Sequence, residues 1–280
     1  MVRYKYGIIV IAYNRLESIK RLLTQLNKCD YRKEDVSLII SIDNNRSEKV
    51  IEYCRNYKWL HGNKTVITYP KRLGLRNHVL KCGDYINKYS LDAVAVFEDD
   101  VFPSIGFYQY MVQAVDFYYN DVDVAGISLY SHQINVNANL NFIPSIVNSD
   151  VYFMQFAQSW GQIWMKNQWK DFIEWYKKKV QCSDSIINED IPTFVANWPE
   201  TSWLKYHIQY CIENNKYFVY PYHALTSCFS DVGEHTNEKN TNFQVPLYEG
   251  VKLNYKFITL HDEKSIKYDA FLKEWGWKDI

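Results

Sequence analysis

Three adjacent carboxylates, Glu98, Asp99 and Asp100, close the apolar run Ala93-Val94-Ala95-Val96-Phe97. Small and β-branched residues in an unbroken row fit a strand buried on both faces. An unpaired buried carboxylate costs several kcal/mol, so the acids must end that strand rather than continue it. They then sit at its C-terminal end, the side on which open α/β sheets bind ligands. Clustered carboxylate oxygens select hard divalent cations, and Mg²⁺ or Mn²⁺ held by one or two of them commonly shares a phosphate-bearing substrate. A solvated acidic loop is the alternative; the strand before it favours a site.

Two more strand patterns end in polar residues. Tyr6–Tyr13 is apolar and closes in Asn14-Arg15, and Val36–Ile42 closes in Asp43-Asn44-Asn45. Ile19, Leu22, Leu23 and Leu26 follow the first at helical spacing, and Val50, Ile51, Tyr53 and Cys54 follow the second. A third strand at Val66–Pro70 leads through Leu73-Gly74-Leu75-Arg76-Asn77-His78 into a helix carrying Val79, Leu80 and Tyr85. This alternation predicts a mostly parallel sheet covered by helices on both faces. Tyr13-Asn14-Arg15, Asp43 and Glu98-Asp99-Asp100 then gather on one rim, as in a nucleotide-type site. No GxGxxG follows the first strand and no GxxxxGKS occurs, so dinucleotide and P-loop sites lack their glycines.

Downstream, Phe107–Tyr119 reads as a helix and Val122–Leu129 as a strand, and the polar, Asn-rich segment 131–150 has the length of a lid or binding loop. Trp169, Phe172, Ile173, Trp175 and Tyr176 keep helical spacing. Thr201 or Ser202 is placed to cap a helix bearing Trp203, Tyr206, His207 and Tyr210. Phe218–Pro221 is a short strand, and 227–236 a polar loop with a glycine and a histidine. We expect one catalytic unit: 1–130 as donor half, 131–245 as acceptor half, and 246–280 as a C-terminal extension packed on it.

Composition narrows the function. Lys+Arg and Asp+Glu both number 32, so no global basic field argues for nucleic acid, and an anionic ligand needs a local site. Aromatic residues reach 17%, with rings suited to stacking on sugars or bases. The six cysteines are dispersed without CxxC or zinc spacing, and no secretory h-region opens the chain. No apolar run approaches the ~20 residues of a membrane span. The expectation is a cytoplasmic protein whose membrane contact, if any, is peripheral at the inner face.

The ordered set Ala12-Tyr13-Asn14-Arg15, Asp43, Gly74-Leu75-Arg76, Phe97-Glu98-Asp99-Asp100 and Ser159-Trp160-Gly161 resembles the nucleotide-sugar glycosyltransferases of the GT-A fold. It looks closest to bacterial family-2-like enzymes, and is similar to the N-acetylglucosaminyltransferase I family, whose metal motif is also Glu-Asp-Asp. The resemblance spans about 6–236 and implies a single Rossmann-like α/β domain. It implies that Ile11, Ala12, Tyr13 and Arg15 embrace the nucleotide, and that Asp43 recognises uracil. Glu98 and Asp99 would lie near the sugar and ribose, with Asp100 as a ligand to Mn²⁺ or Mg²⁺. Arg76 would approach the diphosphate, and His235 would supply a late ligand to metal or phosphate. Asp43 could instead cap a turn, and Arg15, Arg76 and His235 could be ordinary surface groups.

The base departs from the pattern. Inverting relatives place an Asp beside a tryptophan at the start of the acceptor-side helix; here Thr201, Ser202 and Leu204 surround Trp203. Glu200 is the nearest acid, with Asp231 and Asp190 as rivals. The implied activity is a metal-dependent, inverting hexosyl- or N-acetylhexosaminyl transfer. The donor would be a UDP-sugar, and the acceptor a growing surface glycan or lipid-linked oligosaccharide. A nucleotidyltransferase would also place acids at a strand end, yet the expected glycine- and lysine-bearing phosphate loop is missing. A carbohydrate-binding module would use the tryptophans but leave Glu98-Asp99-Asp100 without a purpose.

Overall fold

The computed structural model describes residues 4–44, 48–181, 190–233, 238 and 241–275. The first half alternates as the apolar periods require: β1 (Tyr6–Ala12), α1 (Leu16–Leu26), β2 (Ser37–Ile42), α2 (Glu48–Asn56), β3 (Lys64–Thr68), α3 (Leu75–Lys88) and β4 (Ala93–Glu98). Then come β5 (Val101–Pro103), α4 (Phe107–Tyr118), β6 (Val124–Ser128), β7 (Ile134–Asn135), β8 (Leu140–Asn141), β9 (Val151–Met154) and β10 (Gln162–Met165). The chain continues through α5 (Lys166–Gln181), α6 (Thr193–Ala196), α7 (Trp203–Glu213), β11 (Tyr217–Pro221), β12 (Thr226–Cys228) and β13 (Lys267–Tyr268).

Nine of these strands form one sheet in the order β13-β9-β11-β6-β10-β4-β1-β2-β3. Side chains alternate across it, as the strand period demands. Ile8 and Val10 face a core built with α1, α2 and α4, while Ile9 and Ile11 face one built with α3, α5 and α7. β1 is parallel to both β2 and β4, pairing Ala12 with Ile42 and Ile11 with Glu98. The three strands therefore end nearly level, and their polar tips share one rim.

β9 and β10 are short strands to which the sequence pattern assigned no element. β10 runs antiparallel to β4, with Gln162 opposite Val96. Its leading loop, Ser159-Trp160-Gly161, is thereby carried to the acidic rim. β12 pairs with β5, Cys228 opposite Val101, and Phe229 N–H donates to the Asp100 carbonyl at 2.9 Å. That pairing brings the 229–233 loop to the same rim.

The 131–150 segment, expected as a lid or binding loop, carries regular structure of its own. It forms the β7–β8 hairpin, whose tip is held by the Asn135 carboxamide oxygen accepting from Asn137 N–H and Ala138 N–H. Phe142 is buried against Tyr152 and Tyr268, and Ser145 N–H donates to the Tyr268 hydroxyl at 2.8 Å. The hairpin is thus pinned to the far edge of the sheet. The C-terminal extension supplies edge strand β13 and lays Tyr255 and Phe257 against Tyr110 of α4. Ser202 caps α7, accepting from Lys205 N–H at 3.3 Å. Among the described residues no helix is long and apolar enough to cross a membrane.

His132 and His207 are buried, and neither the His132 Nε2 nor either His207 ring nitrogen makes a hydrogen bond. His207 stacks on Phe172 at 4.2 Å among Trp169, Trp203 and Phe218. Burial lowers the His207 pKa to about 3 and that of His132 to about 4. In the unfolded chain both titrate near ~6.5, so between those values the unfolded state binds more protons. Stability from these groups is therefore full above about pH 6.5 and falls as the solution is acidified. His207→Phe, which removes the orphaned nitrogens, should flatten that loss. Melting temperatures measured from pH 7.5 to 4.5 should show a gain over wild type that widens with acidity; parallel curves would contradict this account.

Candidate functional site

A cleft of about 280 Å³ opens on the rim where β1, β2 and β4 end. The β1 tip contributes Ile11, Ala12, Tyr13, Asn14 and Arg15, and Asp43 comes from the end of β2. Arg72, Gly74, Leu75 and His78 line it from the loop and first turn of α3, and Glu98, Asp99 and Asp100 from β4. Trp160, Cys228, Ser230, Gly233 and Phe243 complete it from the later half of the chain.

Charge at the acidic tip is balanced by one guanidinium. Arg15 Nε donates to Asp99 Oδ1 at 2.9 Å, and its Nη2 makes a second contact to the same oxygen. Arg15 Nη1 donates to Asp100 Oδ2 and to the Asp231 carbonyl, both at 3.0 Å. Burial pulls the Arg15 pKa down, but Asp99 and Asp100 outweigh it and hold the group firmly charged. Burial pushes the Asp99 carboxyl up to about 6 against the pull of Arg15. Glu98, outside the Arg15 bonds, is pushed up to about 8 by burial and then by Asp100, with Arg15 and a Ser159 hydrogen bond opposing.

Asp43 is buried and clamps the opposite wall. Its Oδ1 accepts from Asn44 N–H and Leu73 N–H, each at 2.8 Å, and its Oδ2 from Gly74 N–H at 2.9 Å. Gly74 has φ 76°, a left-handed value that a side chain rarely adopts, and immediately precedes α3, which carries no side-chain N-cap. The first amides of α3 and the Arg72 guanidinium, 5.2 Å over the Tyr13 ring, bring positive charge to this wall beside the Asp43 carboxylate. Below it His78 Nε2 and the Ser41 hydroxyl are 2.8 Å apart, and burial holds the imidazole neutral, its pKa lowered to about 4.

Of the expected site residues, Ile11, Ala12, Tyr13, Arg15, Asp43, Glu98, Asp99 and Asp100 converge on the cleft. Arg76, Glu200 and Asp231 do not line it. Arg76 turns toward α7, donating to the Glu200 carbonyl and lying 5.7 Å over the Tyr206 ring. Arg72, four residues earlier, takes the cleft position. Glu200 is exposed, with its carboxylate bound by Lys205 Nζ at 2.7 Å and by the Tyr206 hydroxyl. Those bonds hold its pKa below the usual carboxylate value, which weakens it as a proton acceptor. The Asp231 carboxylate takes the Ser18 hydroxyl at 2.8 Å and the Arg21 guanidinium, and only its backbone serves Arg15. Asp190 is exposed, and His235 lies outside the described residues. Arg72, His78 and Phe243 were missed; the one local signal was Arg72, a cation two residues before Gly74.

The acids suit a divalent cation bound jointly with a ligand. Asp100 Oδ1 is buried and lacks a hydrogen-bond partner. Among the described residues no group of three or more His, Cys, Asp or Glu side chains forms a closed metal cage. One or two carboxylates completed by substrate phosphate is the usual arrangement for Mg²⁺ and similar ions.

This architecture, with acids and a cation-bearing loop on one rim of a mostly parallel sheet, is the GT-A fold. Residues 7–180 of the 280 match glycosyl transferase family 2, and the chain belongs to that family. No curated protein sequence matches significantly. Among solved structures, S. aureus TarS 1–349 in complex with UDP-GlcNAc is 16% identical over 55% of this chain and 34% of its own, with a TM-score of 0.34. The same TarS segment alone gives 16% identity, 60% and 48% coverage, and a TM-score of 0.42. The Pyrobaculum calidifontis mannosyltransferase PcManGT, in complex with GDP-Man and Mn²⁺, gives 13%, 62%, 47% and 0.41. This chain spans a third to a half of their lengths.

Asp43→Ala should release Leu73 and Gly74 and disorder the wall bearing Arg72. Hydrogen bonds to a charged group contribute about 1.5–3 kcal/mol each, so a net loss of roughly 2–4 kcal/mol is expected in urea unfolding. Nucleotide binding should weaken in the same variant. Unchanged stability with altered base preference would instead assign Asp43 to base reading alone.

Proposed function

We propose that the protein transfers a sugar from a UDP-sugar to a hydroxyl of a growing cell-surface glycan, such as capsule, O-antigen or exopolysaccharide, or of a lipid-linked precursor, with a divalent cation. The observation that carries this is the division of the cleft. An acid with an unpartnered oxygen, Asp100, stands on one side. Arg72 and the uncapped start of α3 stand on the other. A nucleoside diphosphate has the charge to bridge them. Tyr13, Leu75 and His78 offer a base-sized apolar and polar floor between.

In this reading Asp100 would hold a divalent cation, Mn²⁺ or Mg²⁺, shared with the donor's diphosphate. The bound cation supplies neutralisation of the charge that builds on the leaving diphosphate. Arg72 and the α3 amides oppose the same charge from the other wall. Arg15 keeps Asp99 and Asp100 oriented, so the protein's own share is largely positioning. UDP as the nucleotide follows the resemblance of the strand tips.

Thermal-shift measurements test the assignment, since a ligand that binds only the folded state raises the melting temperature by mass action. UDP should stabilise the protein with Mn²⁺ and far less without it. Asp100→Ala should abolish the Mn²⁺-dependent part while retaining a cooperative transition, and Asp100→Asn should be nearly as damaging because an amide is a poor anionic ligand. A shift with free sugars alone would point to a carbohydrate-binding module, and a preference for nucleoside triphosphates to nucleotidyl transfer.

A further inference from the structure

We propose that Trp160 and Phe243 form a subsite for the apolar face of a pyranose ring at the acidic end of the cleft. The assignment deepens the nucleotide-sugar reading and rests on it. Both rings line the cleft and are partly exposed, with centroids 4.7 Å apart and planes inclined by 39°. Trp164 and Trp169 of the same stretch are core residues, 2% and 5% exposed and stacked on each other at 3.9 Å. Trp160 differs from them in being partly exposed and lining the cleft, where its ring can meet a ligand.

The two rings are held from behind. The Trp160 carbonyl accepts from Thr226 Oγ1 at 2.5 Å, and Gly161 has φ 99° with Thr226 where a Cβ would lie. Tyr130 packs edge-on against Trp160 at 4.9 Å, and its hydroxyl donates to the Phe243 carbonyl at 3.2 Å. Two residues on, buried Val245 donates its N–H to Ser227 Oγ at 3.0 Å. One tyrosine therefore fixes both walls of the platform. Trp160 lines the same cleft as Glu98, Asp99 and Asp100, which sets the indole beside the acids. Rings next to carboxylates match a pyranose, whose C–H face stacks while its hydroxyls hydrogen-bond. Phe243 lies beyond residues 7–180, so this wall comes from outside the family match.

The pyranose can belong to the donor or to the acceptor, and binding distinguishes them. Calorimetry with Mn²⁺ compares UDP, UDP-glucose and UDP-GlcNAc, and saturation-transfer NMR follows methyl glycopyranosides added to the UDP-loaded protein and to the protein alone. If the ring is the donor's, wild type should favour a UDP-sugar over UDP, and Phe243→Ala should reduce that preference about five-fold or more with UDP affinity unchanged. If it is the acceptor's, methyl glycosides should show ring-proton saturation that Phe243→Ala and Trp160→Ala abolish and Trp160→Phe partly restores. Variants that fold as judged by circular dichroism yet match wild type for every sugar overturn the subsite. Wild type that fails to bind UDP overturns the nucleotide reading; the glycoside signal from the protein alone then decides the subsite by itself.

Discussion

The arrangement of the cleft depends on the ion pairs of Arg15 with Asp99 and Asp100. Three carboxylates at the end of a buried strand repel one another and lose hydration, and the raised pKa values of Glu98 and Asp99 record that stress. One guanidinium, planar and forked, relieves two of them at once. Its remaining reach goes to the Asp231 carbonyl, so the balancing of charge also draws in the loop after β12. Gly233 lies there with Arg15 Nη1 3.3 Å from where a Cβ would be, close enough that a larger residue would press on the guanidinium. Arg21 then secures the loop from the side by pairing with the Asp231 carboxylate. A residue expected to work as a base is part of the frame that holds the acids.

What the sequence showed best was whatever local physics decides. An apolar strand cannot carry acids through its middle, so the tips of β1, β2 and β4 and their shared rim were readable from patterning alone. Asp43 was legible as a rim residue. Its three backbone donors were not, because two of them sit some thirty residues away at Leu73 and Gly74. Arg76 was expected near the diphosphate, and Arg72 lines the cleft instead for a reason of helical phase. Arg76 lies inside the first turn of α3, on the side that meets α7, whereas Arg72 precedes the turn where the loop still faces the cleft.

Glu200 stands outside the cleft lining for a different reason. A carboxylate ahead of a capped helix is attractive as a base only if nothing nearby claims it, and Lys205 and Tyr206, on the first turn of α7, claim both oxygens. The strands β9 and β10 were hidden because four-residue strands crowded with aromatic side chains carry no clear period. Phe243 carried no local signal of its own, and its meaning comes only from the neighbours that the fold gives it.

The direction of β10 explains how two halves of the chain can serve one cleft. In a parallel sheet only the C-terminal ends of strands reach the binding rim, and every strand–loop unit would contribute the same kind of turn. β10 is antiparallel to both its neighbours, β4 and β6, so the loop before it, not the loop after it, arrives at the acids. The β5–β12 pair repeats the device outside the main sheet, returning the chain past Asp100 once more. The wall that carries Asp43 and Arg72 is thus built by the parallel strands, with the charge and backbone donors that their tips and helix starts supply. The opposite side is built by reversed elements, which bring Trp160, Cys228 and Ser230 from far along the chain. Variation in those later loops can change what lies beside the acids without disturbing the strand tips that hold them.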